Sequence, residues 1–593
     1  MNPRLASETG RWYKIPMKIL LVYPYCLEDR IHEEDVGAVP MGLFSIGALL
    51  KEEGYSVDIL NLSGLGREPD RIREIIAARN PRIIGFSVFS ANRWGAVDTA
   101  RMAKSLNPEV TVVFGGVGAT HLWDHFLTHF PEVDFTVMGE GEMPFLNLIR
   151  HLELGPLGDP GAVPGIGYRQ NSRVVRTDPA EPIPDLDVLP NPAKYYPYRH
   201  LSLTRGCPGR CTFCGSPDFW GRRVRFHSPG YFVDQMEMLA QKGERFFYVS
   251  DDTFTLNKSK VIDTCKEILR RNLAVSWAAI SRVDCVDEEI LLWMRRAGCS
   301  QISYGVESGA AEIRNLLGKP FSAETIERAF TLTTRYGILP RAYFIYGCPG
   351  ETEATIQETL ALIRRIRPLS AIFYILDVFP GTQLYEAFKK RFGITDDIWL
   401  KRIEDILYFE YDPDLSREDV PAFGKTLRTG FYRSLPEFID RIEVADREDL
   451  YPLHADFFSK LGMTFSHGDY ADIDAVPDRD GIARRLFRRS LQFAPDHRAF
   501  AGSAMVLQKQ GDHQAASAGI EEGLAHFPNS RDLHLCAGIA RIHRGEFAEA
   551  LDHLFRHPDS ARALQAIAHC YQALHQPNLA ALYRRKSAAR QGR

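Results

Sequence analysis

Apolar and polar positions along the first 150 or so residues alternate between two rhythms. Short apolar runs are separated by segments in which apolar residues recur every three to four positions. Lys18-Ile19-Leu20-Leu21-Val22-Tyr23-Pro24 reads as a buried strand ending in a turn. Helices are expected near 42–53, 70–78 and 96–106, and strands near 57–60, 83–88, 110–114 and 134–138. This order predicts a doubly wound, Rossmann-like parallel sheet with its ligand at the carboxyl ends of the strands. Those ends carry Ser87, Ser90 and Asn92, the pair Gly115-Gly116, and the turn Gly139-Glu140-Gly141-Glu142. Glycines there permit close approach of a large flat ligand, while hydroxyls and amides suit a polar tail.

A connector rich in Pro and Gly follows, with a small hairpin expected from 165–168 and 174–175. A second α/β series then places strands at 201–204, 246–250, 276–281, 301–306, 341–346 and 371–378, which predicts a parallel barrel, open or closed. Beyond 396 the pattern is mixed. The aromatic pairs Phe431-Tyr432 and Phe457-Phe458 either pack on the core or line a pocket. From about 478 only helical periodicity remains. Phe493-Ala494-Pro495 returns as His526-Phe527-Pro528, and Gly511-Asp512 returns as Gly545-Glu546, with a degenerate third copy at Pro577-Asn578. A period of ~34 with small residues on one helix is the tetratricopeptide (TPR) pattern, an all-α stack that offers a concave surface. The expected division is therefore 17–155, a linker and hairpin at 156–196, a barrel at 197–395, its extension at 396–475, and TPR-like repeats at 476–593.

Composition narrows the function classes. At 593 residues, 25% charged and 45% hydrophobic, the chain reads as an ordinary multidomain globular protein. A net charge of −4 provides no basic excess for nucleic acid, and no apolar run reaches the ~20 residues of a transmembrane helix. The polar segment before Pro16, with both acidic and basic residues, does not read as a secretory signal, so a cytoplasmic protein is expected. Ten cysteines are present, and only Cys207, Cys211 and Cys214 cluster. Their C-x3-C-x2-C spacing, with Pro208 and Gly209 between, turns three thiolates toward one centre, as iron–sulfur clusters require. Zinc is the competing reading, but no nearby second pair supplies a fourth ligand.

Taken with Tyr304-Gly305-Val306-Glu307-Ser308-Gly309 and Gly347-Cys348-Pro349-Gly350-Glu351-Thr352 in that order, the cysteine run resembles the radical S-adenosylmethionine (SAM) superfamily. The preceding domain, with Val39-Pro40-Met41-Gly42-Leu43, looks like the cobalamin-binding module found ahead of one class of those enzymes. The resemblance covers roughly residues 17–395. It implies a [4Fe–4S] cluster on Cys207, Cys211 and Cys214, SAM on its open iron, and cobalamin. SAM contacts are then expected from Phe213, Asp251, Asp252, Arg282, Glu307, Lys319, Gly347 and Pro349. Helix capping is the bland alternative for the two aspartates, and a solvated surface residue that for Lys319. Cobalamin contacts are expected from Pro40, Gly42, Ser87, Ser90, Asn92, Gly115, Gly116, Glu140 and Gly141. The D-x-H-x-x-G motif that supplies a histidine to cobalt in cobalamin-dependent methionine synthases is missing. His32 reads as a solvated loop residue.

The implied activity is reductive cleavage of SAM to a 5′-deoxyadenosyl radical. Methylation of an unactivated carbon of a metabolite, lipid or natural-product precursor would follow, fed by an external flavodoxin- or ferredoxin-type donor. Cyclisation or oxidation without methyl transfer is the alternative within enzymes. A TPR adaptor carrying an inactive α/β scaffold is the alternative outside them. Capping or dimerising the enzyme is the conservative role for the repeats, and holding a peptide, a carrier protein or a partner enzyme the sharper one.

Overall fold

The computed structural model describes residues 4–6, 12–14, 17–27, 38–66, 68–155 and 158–591; His32 lies outside them. Two three-residue strands, β1 (Arg4–Ala6) and β2 (Trp12–Lys14), pair antiparallel. The first large sheet then begins with β3 (Lys18–Tyr23), whose last five residues are all buried. A strand buried on both faces reads as a continuous apolar run, so β3 belongs in the sheet interior. There it lies between β4 (Ser56–Asn61) and β5 (Ile83–Ser87), parallel to both. β6 (Thr111–Gly115) and β7 (Phe135–Val137) extend the parallel order. The helices α1 (Met41–Glu52), α2 (Pro69–Arg79), α3 (Arg93–Leu106), α4 (Val117–His121), α5 (Trp123–His129) and α6 (Glu142–Glu153) connect these strands. The expected hairpin is β8 (Ile166–Gln170) with β9 (Arg173–Arg176). It continues this sheet, because β8 pairs antiparallel with β7.

The second large sheet has the order β10 (His200–Leu201), β13 (Phe246–Val249), β14 (Ser276–Ser281), β15 (Cys299–Glu307), β16 (Leu339–Tyr346) and β17 (Ser370–Ile375). The first three neighbouring pairs are parallel. The helices α8 (Pro229–Gln241), α9 (Lys258–Arg270), α10 (Glu288–Arg296), α11 (Ala311–Leu316), α12 (Ala323–Arg335) and α13 (Glu353–Ile366) link them, so the α/β alternation is as expected. One element departs. The strand expected at 201–204 breaks after Leu201, and β11 (Thr204–Arg205) pairs instead with β12 (Arg225–Phe226). The cause is the Asp251 carboxylate, which accepts the N–H groups of Leu203 and Thr204 at 3.2 and 2.5 Å in place of a neighbouring strand. The cysteine loop and α7 (Ser216–Trp220) lie between β11 and β12.

The chain divides into two compact units. One comprises 1–329, 341–362 and 371–427; the other comprises 330–340, 363–370 and 428–593. The stretch 396–475 is therefore shared between them. In the first unit it contributes short 3-10 turns and the start of α15 (Asp419–Asp440). In the second it supplies the rest of α15 and α16 (Tyr451–Ser466), where Phe431, Phe457 and Phe458 are all buried. Packing is the outcome for those aromatics.

Helices then run as pairs: α17 (Arg479–Phe493) leads into α18 (His497–Lys509) with α19 (His513–His526), α20 (Arg531–His543) with α21 (Phe547–Leu554), and α22 (Ala561–Ala573) with α23 (Pro577–Gln591). The ~34-residue period has a local cause. The hairpin turns are closed by the same bond from N–H to the carbonyl five residues back: Asp512 to Leu507, Glu546 to Arg541 and Gln576 to Tyr571. Each requires a left-handed residue, supplied by Gly511, Gly545 and, in the degenerate copy, His575.

Candidate active site

A cavity of about 850 Å³ opens within the first unit, where the carboxyl ends of β3, β5, β6 and β7 meet residues of the second sheet. All nine residues expected to contact cobalamin line it: Pro40, Gly42, Ser87, Ser90, Asn92, Gly115, Gly116, Glu140 and Gly141. This wall is made largely of backbone. Gly116 has φ 90°, and a Cβ there would lie 3.0 Å from the Val88 carbonyl oxygen, so no other residue fits without a shift. A Cβ on Gly42 would meet nothing within 4 Å and would project into free space. These are features of a cradle for a broad ligand. Two of the polar side chains are occupied by the protein itself. The Asn92 amide accepts from the Phe89 N–H at 2.7 Å and donates to the Ser87 carbonyl at 3.3 Å, fixing the loop after β5. Glu140 is held by arginines.

Those arginines belong to a buried network. Glu142, at 3% exposure, pairs with Arg205 at 2.6 Å and accepts from Ser45 at 2.7 Å. Glu140 pairs with Arg225, stands 3.7 Å from Arg205, and accepts the Ile183 N–H at 3.1 Å. Burial works to raise Glu142, but Arg205 and Ser45 outweigh it and hold the carboxyl below its ordinary range. Arg205 lies two residues ahead of Cys207, so the turn after β7 fastens the strand that feeds the cysteine loop. No sequence pattern signals this quartet, whose members are 63 and 85 positions apart.

The three cysteines share one loop, and Gly209 stands between two of them. A Cβ on Gly209 would lie 3.3 Å from Cys207 Sγ, 3.8 Å from Cys211 Sγ and 3.6 Å from an Arg282 nitrogen. The space among those groups stays open only because residue 209 lacks a side chain. Gly318, at φ 72°, brings the loop after α11 against the Arg210 carbonyl, and Thr212 donates its N–H to Leu317 at 3.1 Å. Burial raises the Cys211 thiol and pushes Cys214 up to about 11. As bare thiols both stay protonated at neutral pH; a cationic metal centre reverses that balance. The residues thus fit an iron–sulfur cluster. Among the described residues, no trio of His, Cys, Asp and Glu converges as on a single ion.

Of the residues expected at SAM, Glu307 and Lys319 form a buried pair at 2.7 Å. Burial works to lower the Lys319 ammonium, but Glu307 and Cys211 outweigh it and raise it, so this lysine is not the solvated residue of the bland reading. Glu307 has φ 67°, a left-handed conformation that is costly for a residue with a Cβ and concentrated at functional sites. Arg282 makes a two-point contact with Asp284 at 3.0 and 2.8 Å and lies beside Gly209 of the cysteine loop. Phe213 is half-buried within that loop. Gly347 and Pro349 are buried, and the Glu351 carboxylate closes their turn by accepting the N–H groups of Gly347 and Cys348 at 2.5 and 3.3 Å. Burial pushes Glu351 up to about 7.

The two aspartates separate. Asp252 lines the cavity and accepts from Ser216. Asp251 is 1% exposed and turned away. Its carboxylate is taken up by Ser202, Leu203 and Thr204, and burial pushes it up to about 6. The expectation that Asp251 touches SAM is corrected by this geometry: it holds the base of the cysteine loop. Neither aspartate caps a helix, and Asn257 caps α9.

Sequence reading missed the opposite wall. Every strand region of the second sheet contributes to the cavity: His200 and Ser202, Tyr248, Val249 and Ser250, Ala278, Ala279 and Ile280, Gln301 and Ser303, Arg341 and Tyr343, Asp377 and Phe379. The signal was available. In a packed barrel these inward positions are bulky and apolar, whereas here most are polar.

A family model for the radical SAM superfamily matches residues 201–363, and one for the B12 binding domain matches 37–149. An uncharacterised methyltransferase of Pyrococcus horikoshii is 30% identical over 384 residues, spanning 62% of this chain and 83% of that protein. The anaerobic magnesium-protoporphyrin IX monomethyl ester cyclase of Rubrivivax gelatinosus is 30% identical over 376 residues, 60% of this chain and 67% of the cyclase. In fold, the chain resembles the radical SAM methyltransferase TsrM of Kitasatospora setae, solved with cobalamin and a [4Fe–4S] cluster. That likeness has a TM-score of 0.58 at 18% identity and covers 81% of this chain and all of TsrM. It also resembles the cobalamin-dependent SAM radical enzyme OxsB, with a TM-score of 0.57 at 16% identity over 87% and 84% of the two chains. With two matching family models in this order and a relative covered over most of its length, the chain belongs to the cobalamin-dependent radical SAM methyltransferase family.

Proposed function

We propose that the protein methylates an unactivated carbon of a small molecule, using a [4Fe–4S] cluster, SAM and cobalamin. The observation that carries this reading is the single cavity with a glycine-built wall on one side and a polar sheet face on the other. Thr204, Gly215 and Ser216, which flank the cysteine loop, form part of its boundary. Cys207, Cys211 and Cys214 would hold the cluster. Glu307, Lys319, Arg282, Asp252, Phe213, Gly347 and Pro349 would hold SAM, and the nine strand-end residues would hold cobalamin. When bound, these groups supply radical generation and methyl carriage, chemistry beyond amino-acid side chains.

The chain's own residues do the rest. Asp251 and the Arg205–Glu142 pair fix the start of the cysteine loop, and the Glu307–Lys319 pair places opposite charges beside it. A flavodoxin- or ferredoxin-type donor would feed the cluster, and the repeats would seat a protein partner. All ten cysteines are free, as a reducing cytoplasm permits, and no helix among the described residues is long and apolar enough to cross a membrane.

The Rubrivivax relative favours a second reading, ring closure without methyl transfer. Anaerobic reconstitution with reductant, SAM and methylcobalamin separates the two. S-adenosylhomocysteine together with a product heavier by one methylene supports methylation; deoxyadenosine alone supports the second reading. A colourless protein with no iron, sulfide or SAM cleavage would leave only an adaptor.

A further inference from the structure

The charges that brace the cysteine loop hold it at both ends. β11 and β12 pair Arg205 with Arg225, so the two arginines sit side by side at the stems of the excursion 206–224, which carries the cysteine loop and α7. Both are met from the turn after β7, Arg205 by Glu142 at 2.6 Å and Arg225 by Glu140. That same turn lines the cavity through Gly139, Glu140, Gly141 and Glu142. Its shape rests on Gly139, at φ 71°, whose N–H donates to the Thr120 hydroxyl at 2.9 Å. Arg225 also donates to the carbonyls of Ile183 at 2.8 Å and Trp220 at 3.4 Å. The Arg205 guanidinium lies 5.1 Å from the centre of the Trp220 ring, and Trp220 is itself a cavity residue. One contact stays open: the buried Nη1 of Arg205 makes no hydrogen bond and stands 3.7 Å from Glu140.

We propose that Arg205 and Arg225 are positioning residues that couple the two cofactor sites, so that bound cobalamin tightens the binding of SAM. The inference rests on the reading above, which seats cobalamin on Glu140 and Gly141 and SAM beside the cysteine loop. A ligand pressed against the turn limits the positions open to Glu140, and a shift of under about 1 Å brings it within hydrogen-bond reach of Arg205 Nη1. Glu140 then holds both stems of the excursion at once.

SAM's apparent affinity is its intrinsic affinity scaled by the fraction of the loop in its binding arrangement. Ordering done by cobalamin therefore reads out as tighter SAM binding. Linkage makes the effect mutual, because SAM must tighten cobalamin by the same factor. The tip of the excursion is tied independently: the Thr212 N–H donates to the Leu317 carbonyl at 3.1 Å, and the Leu384 N–H to the Thr212 carbonyl at 2.8 Å. The stems are what cobalamin is left to set.

The test uses the full chain with its cluster reconstituted anaerobically, without reductant, either loaded with hydroxocobalamin or free of it. Calorimetry is expected to give SAM a dissociation constant about fivefold or more lower in the loaded state. Amide exchange across 204–226, measured without SAM, is expected to slow on loading. Arg225→Gln brings the ratio of the two SAM constants close to one, whatever it does to either constant alone. A purely structural role would weaken both and leave the ratio in place. Should that variant fail to fold, Glu140→Gln, which keeps an acceptor for the Ile183 N–H, is read in the same way. A ratio near one in the unaltered protein, unchanged exchange across 204–226, or a ratio that survives the substitution overturns the proposal. Failure of the functional reading shows separately, as absent iron or as no cobalamin in the visible spectrum, and takes this proposal with it.

Discussion

The two walls of the cavity solve recognition in opposite ways. On the first sheet, side chains are withheld: Gly42, Gly115, Gly116, Gly139 and Gly141 expose backbone, and the Asn92 and Glu140 side chains are committed to the protein. On the second sheet, mostly polar side chains from successive strand regions line the cavity. A wall of backbone suits one large ligand common to many enzymes. A wall of polar side chains can be rewritten strand by strand, and so suits a ligand that differs from one enzyme to the next.

The largest expected effect strikes the loop beside the second wall. Cys211→Ala should reduce deoxyadenosine formation at least about 100-fold while cobalamin retention and the melting of the helical repeats stay unchanged. Normal SAM cleavage by that variant would defeat the assignment of the cluster. Next, Gly42→Leu fills the backbone wall at a helix start where nothing lies within 4 Å, so folding should survive while cobalamin retention, read by its visible spectrum, falls about tenfold or more. Loss of retention accompanied by unfolding would show the glycine to be structural.

Between the walls lies the Arg205–Glu142 pair. Glu142→Gln should destabilise the first unit by roughly 2 kcal/mol in urea titrations, because it removes the nearer counter-charge of a buried guanidinium and leaves only Glu140, 3.7 Å away. A change below the scatter of the measurement would mean the network only decorates the interior.

Two smaller effects concern pH and run in opposite directions. Glu351 has its folded value raised to about 7, so the fold holds a proton that the unfolded chain has already lost. Stability should therefore fall as pH rises from the ordinary carboxylate range through about 7, then level off. Glu351→Gln should flatten this slope and be more stable than the unaltered protein at pH 8, by on the order of 1–3 kcal/mol. A pH-independent difference in melting temperature would sink that account. In the repeats, His534 and His553 share one hydrogen bond between Nδ1 atoms at 3.0 Å, which only one proton can occupy. Burial lowers both, assisted by Arg556 and His557 at His534 and by His534 itself and Arg541 at His553. The unfolded chain takes up protons first, so the second unit should weaken modestly as pH falls below about 6.5. His553→Gln should blunt that acid sensitivity in a melting series.

Where information was local, the chain spelled out its structure. The buried run of β3, the strand-end glycines and the cysteine loop follow from neighbouring residues, and Gly511 and Gly545 mark the recurring turn as Gly-x pairs do wherever a left-handed residue ends a helix. The third turn was harder to read because His575 takes the glycine's place. Asp251 shows the opposite case. Adjacent aspartates after a strand look interchangeable in sequence, yet one points into the cavity and the other supplies the acceptor that breaks a strand 47 residues earlier.

Sequence alone determined the order of modules, the cluster-type cysteine spacing and the backbone wall, because periodicity and conformational freedom act over a few residues. Tertiary structure alone decided that Glu140 and Glu142 brace the cysteine loop and that Glu307 pairs with Lys319. Charge pairing acts through space, and its partners are chosen by which strands lie side by side, a choice written in no single stretch of the chain.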